Sequence, residues 1–250
     1  MRPAGRVGPG FVAVLTLAYI GAFIAFVPLL SLIVPLQAQA LAPGDKIGLL
    51  SLVSLWGALT ASVANLAAGW ASDRTRGRFG RRRPWILAGL AGVILAYGLI
   101  AAAPSPLALL AGVMTFQFAF NLMFAPLTAI LADVVPDVQK GRVAAFLGLG
   151  APMGAAGGVL ISLPPFGGPA ARLTILGVLV VTCVVPLVLS WREPPGSSPH
   201  RREAGPPAAR AAPGRQRARP RAGAAAPAAR RPAGGLPAGG HRDRPARGAG

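Results

Sequence analysis

The chain has 250 residues, of which 53% are hydrophobic, yet its formal charge at neutral pH is +18. A single soluble domain does not combine these values, because about a quarter of its residues are usually charged, whereas 13% are charged here. The two properties separate along the chain: residues 1–193 hold 13 basic and five acidic residues, and residues 194–250 hold 12 basic and two acidic ones. The sequence therefore predicts an apolar body followed by a short, strongly basic tail.

The body is predicted to cross a membrane six times. A bilayer core of ~30 Å needs about 20 apolar residues in a helix, and a helix satisfies its own backbone where lipid offers no hydrogen-bond partner. The six apolar runs are residues 11–36, 47–71, 85–103, 107–131, 143–163 and 173–190. The first run is too long for the core of a signal peptide, and five more follow, so we expect it to be an anchor preceded by a short N-terminal segment, residues 1–10.

The basic residues predict which side of the membrane each loop faces. The segments on one side would be residues 1–10, 72–84, 132–142 and those after 190. Up to residue 193 that side holds eleven basic residues, whereas the other side holds only Lys46 and Arg172. Cytoplasmic loops carry an excess of Lys and Arg. We therefore expect a multi-pass protein of the plasma or inner membrane, with both termini in the cytoplasm.

The loop after the second span is GWASDRTRGRFGRRRP (residues 69–84). A topology signal requires only positive charge, whereas this loop also has Gly, Asp and Pro at defined positions. It holds six arginines. A nucleic-acid site is disfavoured, because the loop is short, lies at the membrane face and has one aromatic residue, Phe79, rather than a stacking platform. The stretch resembles the loop between helices 2 and 3 of the major facilitator superfamily. The matching positions are Gly69, Asp73, Arg74, Gly80, Arg81 and Arg82.

A second stretch, NLMFAPLTAILADVVPDVQKGR (residues 121–142), resembles helix 4 and the following loop in the same family. Asp133, Pro136, Gln139, Gly141 and Arg142 carry this likeness. Both stretches are most similar to the glycoside–pentoside–hexuronide and sucrose-transporter-like branches. The resemblance covers roughly residues 10–193.

The resemblance implies an all-α membrane protein, the six-helix N-terminal half of a twelve-helix secondary transporter that works by alternating access. It also implies that Asp73 and Arg74, with the rest of the helix 2–3 loop, form a conformational latch on the cytoplasmic side. A carboxylate beside arginines makes charge-assisted hydrogen bonds. The alternative is that Asp73 only neutralises part of the arginine cluster.

Polar residues within spans are costly and are therefore candidate site residues. Gln117 and Asn121 lie one helical turn apart in the fourth span, where two amides could hydrogen-bond the hydroxyls of a sugar-like solute. Tyr19, Phe23 and Phe26 share a face of the first span and could stack on a sugar ring. The alternative is that the amides hold helices together and the aromatic residues face lipid or a neighbouring helix.

Two further features predict close helix packing. Gly150, Gly154 and Gly158 recur every four residues in the fifth span, a spacing that lets helices approach closely. Asn65 in the second span is expected to hydrogen-bond a neighbouring helix.

The sequence indicates no cofactor, metal site or catalytic constellation. The single cysteine, Cys183, excludes an intrachain disulfide, and both histidines, His200 and His241, lie in the tail. No Asp, Glu, His, Lys or Arg lies inside a predicted span, so a coupling ion (H⁺ or Na⁺) is not assigned. We expect a non-enzymatic transporter of a small solute, with a sugar or glycoside favoured and the lipid bilayer and that solute as partners. The alternatives are a drug or metabolite exporter of the same fold and a non-transporting remnant; no nucleic acid is expected, and the oligomeric state is left open.

The tail, residues 194–250, consists almost wholly of Ala, Arg, Pro and Gly and is predicted to be disordered. Three interpretations stay open: contact with anionic lipid, an RNA-binding arm, and out-of-frame translation of GC-rich DNA. The third, which we favour, would mean that a frameshift near residues 194–204 truncated a twelve-span transporter.

Overall fold

The structure is a computed structural model that describes residues 6–75, 80–163 and 167–190. The predicted tail (194–250) lies outside the described residues, and so do Arg76, Arg78 and Phe79 of the arginine-rich loop. The described part is helical, without strands. It contains six helices long and apolar enough to cross a membrane: α1 Pro9–Leu41, α2 Lys46–Arg74, α3 Arg83–Ala101, α4 Pro106–Val134, α5 Asp137–Ser162 and α6 Pro169–Ser190. The predicted all-α, six-span fold is confirmed.

Each helix begins before its predicted apolar run, and two of these starts carry a side-chain cap. The Asp45 side chain accepts a hydrogen bond from the Gly48 amide at the start of α2, and Ser105 does the same for the Ala108 amide of α4. Such caps satisfy amides that have no partner within the helix. The starts of α2 and α4 are therefore set by capping chemistry, which a hydropathy window does not detect.

Two helices are irregular. In α1 a π-helical turn, Leu29–Ile33, follows Pro28. The Leu29 amide bonds the Phe26 carbonyl, and the Ala25 carbonyl accepts a hydrogen bond of 2.9 Å from the buried Tyr97 hydroxyl of α3. The irregular turn of α1 therefore helps to fix α3 against it.

The second irregular helix, α5, consists of two segments, Asp137–Leu147 and Gly150–Ser162. The second segment packs closely along α1. A Cβ on Gly154 would lie 2.6 Å from the Phe23 carbonyl oxygen, and one on Gly150 would lie 2.5 Å from the Phe23 ring. A Cβ on Gly158 would lie 3.7 Å from Pro28, which is an ordinary van der Waals distance. Two of the three predicted packing glycines therefore sit at a contact that admits no side chain.

The six helices form two groups of three. One group is α2, α3 and α4, with α4 packed along both neighbours; the other is α1, α5 and α6, with α1 packed along both. In the membrane-spanning windows of α1 and α4, 50% of residues are buried, against 22% in α2 and α5. The central helices α1 and α4 are therefore the most buried of the six.

The starts of α1, α3 and α5 and the ends of α2 and α4 meet at one end of the bundle. This placement follows from contacts between Arg82 and Asp133 and between Val7 and Gln139. We call this the basic end. At the opposite end, the Gln37 side chain donates a hydrogen bond of 3.0 Å to the Ile100 carbonyl and joins the end of α1 to the end of α3.

Candidate functional site

An ion-pair cluster occupies the basic end, where α3 begins beside the end of α4. The Arg81 Nη2 atom lies 3.1 Å from Asp133 Oδ2, and Arg82 Nη2 donates to the same oxygen. The Arg82 side chain is only 1% exposed, whereas that of Asp133 is 38% exposed. A buried charge needs a paired counter-charge. Asp133 therefore supplies the negative charge that allows Arg82 to be buried.

The two residues expected to form the latch lie at the edge of this cluster and do not pair with each other. The Asp73 side chain is 55% exposed, and its Oδ1 atom lies 3.8 Å from Arg81 Nη2. The Arg74 guanidinium lies 3.9 Å from the centre of the Trp70 ring, in a cation–π contact. Asp73 thus faces the arginines but stays open to the surroundings.

The two loop glycines have different structural roles. Gly80 has a φ of 87°, in the left-handed region that glycine adopts most readily, and this turn leads directly into Arg81 and Arg82. Gly69 lies within α2, and a Cβ there would meet no described atom within 4 Å. The backbone therefore explains Gly80, and the described contacts do not explain Gly69.

A hydrogen bond that the sequence did not suggest joins the two ends of the loop. The Trp85 Nε1 atom donates to Thr75 Oγ1 at 2.8 Å. This contact ties the residue after α2 to the first turn of α3. The only available signal was a pair of polar atoms ten residues apart, which does not by itself indicate a contact.

The residues of the helix 4–5 loop have separate positions. Pro136 is the N-cap of α5, and Gln139 makes two hydrogen bonds to Val7, accepting from the amide at 2.9 Å and donating to the carbonyl at 3.4 Å. A Cβ on Gly141 would meet no described atom within 4 Å. Arg142 is exposed. Of the five, Asp133 and Gln139 make the long-range contacts.

A cavity of about 500 Å³ lies between α1, α2 and α4. Small residues of α2 form one side, and aromatic residues of α1 and α4 form the other. Four of the five candidate solute-binding residues line it: Phe23, Phe26, Gln117 and Asn121. The fifth, Tyr19, packs against the ring of Phe124, with 5.7 Å between ring centres, and does not line the cavity. The structure therefore brings the predicted amides and two of the aromatic residues together.

The two amides differ in what they contact. The Asn121 side chain donates to the Gln117 carbonyl at 2.8 Å and accepts from Asn65 Nδ2 at 3.1 Å. Both polar ends of Asn121 thus serve helix contacts, and the prediction that Asn65 bonds a neighbouring helix is confirmed. Gln117 is 7% exposed, and its Oε1 atom has no hydrogen-bond partner among the described residues. Gln117 is therefore the amide with an unpaired acceptor among the described residues.

An aromatic row runs along α4, and two of its members, Phe120 and Phe124, line the cavity. The rings of Phe116, Phe120 and Phe124 stack in sequence, with centres 5.7 and 5.2 Å apart. Phe26 of α1 lies 4.9 Å from Phe120, and Phe23 meets Phe124 edge-on. The sequence reasoning missed this row, although the recurrence of phenylalanine every four residues in α4 was a usable signal.

A bundle of six membrane-spanning helices with a polar and aromatic cavity defines a transporter-like membrane domain. Residues 11–233 match the family model of the Major Facilitator Superfamily, and the chain belongs to that family. This is a family of transporters and not of enzymes.

The chain is also similar to Solute carrier family 45 member 3. It is 38% identical to the proteins of Homo sapiens and Macaca fascicularis and 42% identical to that of Mus musculus, over 89 residues in each case. Each match covers 30% of this chain and 16% of the relative. The match therefore extends over about one sixth of the length of these curated relatives.

Proposed function

We propose that this chain takes part in the transmembrane transport of a sugar or glycoside by alternating access. The observation that carries the proposal is the Gln117 acceptor, which has no partner among the described residues, beside a cavity walled by aromatic rings. A sugar presents hydroxyl donors at its edge and apolar C–H surface on its faces. An amide oxygen accepts a hydroxyl hydrogen, and aromatic rings cover an apolar surface. The cavity volume lies within the usual range for small-molecule sites, roughly 300–1,000 Å³.

The ion-pair cluster at the basic end supports the alternating-access part of the proposal. Arg81 contacts both Asp133, at the end of α4, and Asp73, at the end of α2. Because Asp73 is more than half exposed, its carboxylate is available to a group outside the six helices. We infer that Asp133 and Arg82 form the fixed part of the latch and that Asp73 is its exchangeable part. Orientation with the basic end in the cytoplasm belongs to the same proposal.

Coupling to H⁺ or Na⁺, as in a symporter, stays a prediction without an assigned residue. The cavity wall in the described residues consists of amide, hydroxyl, aromatic and small apolar side chains. A second six-helix unit would complete the cavity on its open side, and the frameshift origin of residues 194–250 stays part of this hypothesis. Translation of the two shifted downstream frames tests that origin, because the hypothesis requires further apolar spans in one of them.

The test is binding of radiolabelled mono- and disaccharides to the purified chain, followed by uptake into vesicles. Replacing Gln117 with Leu removes the acceptor at nearly constant volume. One neutral hydrogen bond contributes about 0.5–1.5 kcal/mol, so we expect sugar affinity to fall roughly 2- to 12-fold. The matched control is Thr115→Val, because Thr115 lies on α4 outside the cavity and its hydroxyl bonds its own helix at Ala111.

Two results would contradict the proposal. One is that no sugar in the panel binds either this chain or a twelve-span version in which the proposed frameshift is corrected. The other is that Gln117→Leu and Thr115→Val change affinity equally. Uptake by the six-span chain alone would specifically rule out the non-transporting remnant, and preferential uptake of an unrelated organic solute would favour the exporter alternative.

A further inference from the structure

A second groove lies between α1 and α5 at the basic end, separate from the central cavity. Its volume is about 770 Å³. The second segment of α5 packs tightly on α1 at Gly150 and Gly154, whereas the first segment, Asp137–Leu147, makes far fewer contacts with α1. The groove fills the space between α1 and this first segment. It therefore results from the break in α5.

The groove has an apolar wall and a basic mouth. Val12, Leu17 and Phe146 are among the residues that form the wall, and Arg6 and Arg142 stand at the end where both helices begin. Both arginines are exposed. Within the described residues neither guanidinium pairs with a carboxylate, because the ion pairs of Asp73, Asp133 and Asp137 involve other cations. The mouth thus carries two positive charges with no counter-charge among the described residues.

The N-terminal arm is held in place over this mouth. The main chain of Val7 bonds the Gln139 side chain through both its amide and its carbonyl. Arg6 is the adjacent residue, and Arg142 follows Gln139 by one turn of α5. This double hydrogen bond therefore fixes the backbone on both sides of the groove and keeps the two arginines at a common opening.

We propose that the groove is a binding site for one anionic phospholipid, with its phosphate at Arg6 and Arg142 and an acyl chain along the apolar wall. Basic pockets between membrane-spanning helices bind anionic head groups. A free phosphate would leave the apolar wall without a ligand, and a lipid without net charge would leave the two arginines without a counter-charge. The ligand must therefore combine an anionic group with a long apolar chain.

Another groove in the same molecule provides an internal comparison. It lies between α3 and α6, has a volume of about 450 Å³, and is lined by apolar, glycine, threonine and tyrosine side chains without a charged residue. An acyl chain that enters this groove meets no cation. Selectivity for anionic head groups is therefore expected only at the α1–α5 groove.

The experiment is native mass spectrometry of the full chain, released from a neutral detergent after equilibration with phosphatidylglycerol or phosphatidylcholine of identical acyl chains. Each basic residue near an anionic lipid contributes about a fivefold gain in affinity. We expect one retained phosphatidylglycerol, bound roughly 25-fold more tightly than phosphatidylcholine. The double variant R6Q/R142Q should remove this preference. The matched control K46Q/R172Q removes the same charge from the opposite end and should keep it.

A second pair of variants tests the apolar wall without touching the arginines. Ala13 is an exposed residue of the groove wall, so Ala13→Trp fills the groove and should abolish retention of the lipid. Leu95→Trp places the same ring on an exposed position of α3 outside both grooves and should leave retention unchanged. Circular dichroism of each variant would check that its helices are retained.

Three outcomes would overturn the proposal. The first is equal retention of the two lipids by the unaltered chain. The second is retention of phosphatidylglycerol that R6Q/R142Q or Ala13→Trp does not reduce. The third is complete displacement of the lipid by inorganic phosphate, at a phosphate concentration that does not unfold the control variant K46Q/R172Q. The site would then recognise a phosphate alone.

Discussion

Replacement of Asp133 by Asn is the sharpest test of the cluster at the basic end. The change removes the negative charge that Arg81 and Arg82 share, while the Arg82 side chain is only 1% exposed. Breaking a fully buried pair costs about 3–5 kcal/mol. Asp133 is itself 38% exposed, and the asparagine oxygen can still accept a hydrogen bond, so we expect a loss of about 2 kcal/mol. For a domain of this size that corresponds to a fall in apparent Tm of about 4–8 °C.

The assay is thermal unfolding in detergent at a fixed scan rate, followed by tryptophan fluorescence. Asp73→Asn is the matched control, because it removes the same charge from a carboxylate that is 55% exposed and 3.8 Å from Arg81. Exposed pairs contribute about 0–1 kcal/mol, so its Tm should fall by less than about 4 °C.

A double-mutant cycle separates the ion pair from a general packing effect. Arg82→Gln removes the buried charge, so the double variant R82Q/D133N should be more stable than the sum of the two single effects predicts, by about 1 kcal/mol or more. The interpretation fails if the two effects add, or if Asp133→Asn and Asp73→Asn lower the Tm equally. Either result would mean that Asp133 is not the counter-charge of Arg82.

Two pairs of glycine variants test the backbone assignments by the same thermal assay. Gly154→Ala should lower stability by about 1–3 kcal/mol, because its Cβ would lie 2.6 Å from the Phe23 carbonyl oxygen. Gly158→Ala should change stability by less than about 0.5 kcal/mol, because its Cβ would lie 3.7 Å from Pro28. Equal effects of the two variants would contradict the packing assignment. Gly80→Ala should cost about 1–2 kcal/mol because of its positive φ, while Gly69→Ala, in a helix with open space, should gain roughly 0.5–1 kcal/mol. A neutral Gly80→Ala would show that the left-handed turn is not required.

The fold was predictable because a bilayer imposes a length and a polarity on each span. Six apolar runs predicted six helices, and the structure has six in its described residues. The break in α5 was not predictable from these runs, since Gly148 and Leu149 are as apolar as their neighbours. The pairing of Arg82 with Asp133 was also not predictable from the sequence. The loop holds six arginines, and only the packing of α3 against α4 decides which of them is buried.

The central cavity shows the same limit within a single helix. Gln117 and Asn121 share a residue class, a helix and a face, and the sequence therefore predicts one role for both. The structure separates them because Asn65 of α2 donates to the side-chain oxygen of Asn121, whereas a Cβ on Gly57 of α2 would lie 3.5 Å from Gln117 Nε2. Gly57 offers no side chain to pair with the Gln117 amide. The Gln117 oxygen stays unpaired among the described residues.

The helix α4 carries both parts of the proposed mechanism. Gln117 in the cavity and Asp133 in the ion-pair cluster lie 16 residues apart on it, or ~24 Å at 1.5 Å per residue. Pro126 lies between them and removes one backbone hydrogen bond from the helix. The proposed latch at Asp133 and the proposed solute site at Gln117 would therefore be connected by a helix that can bend at one defined position.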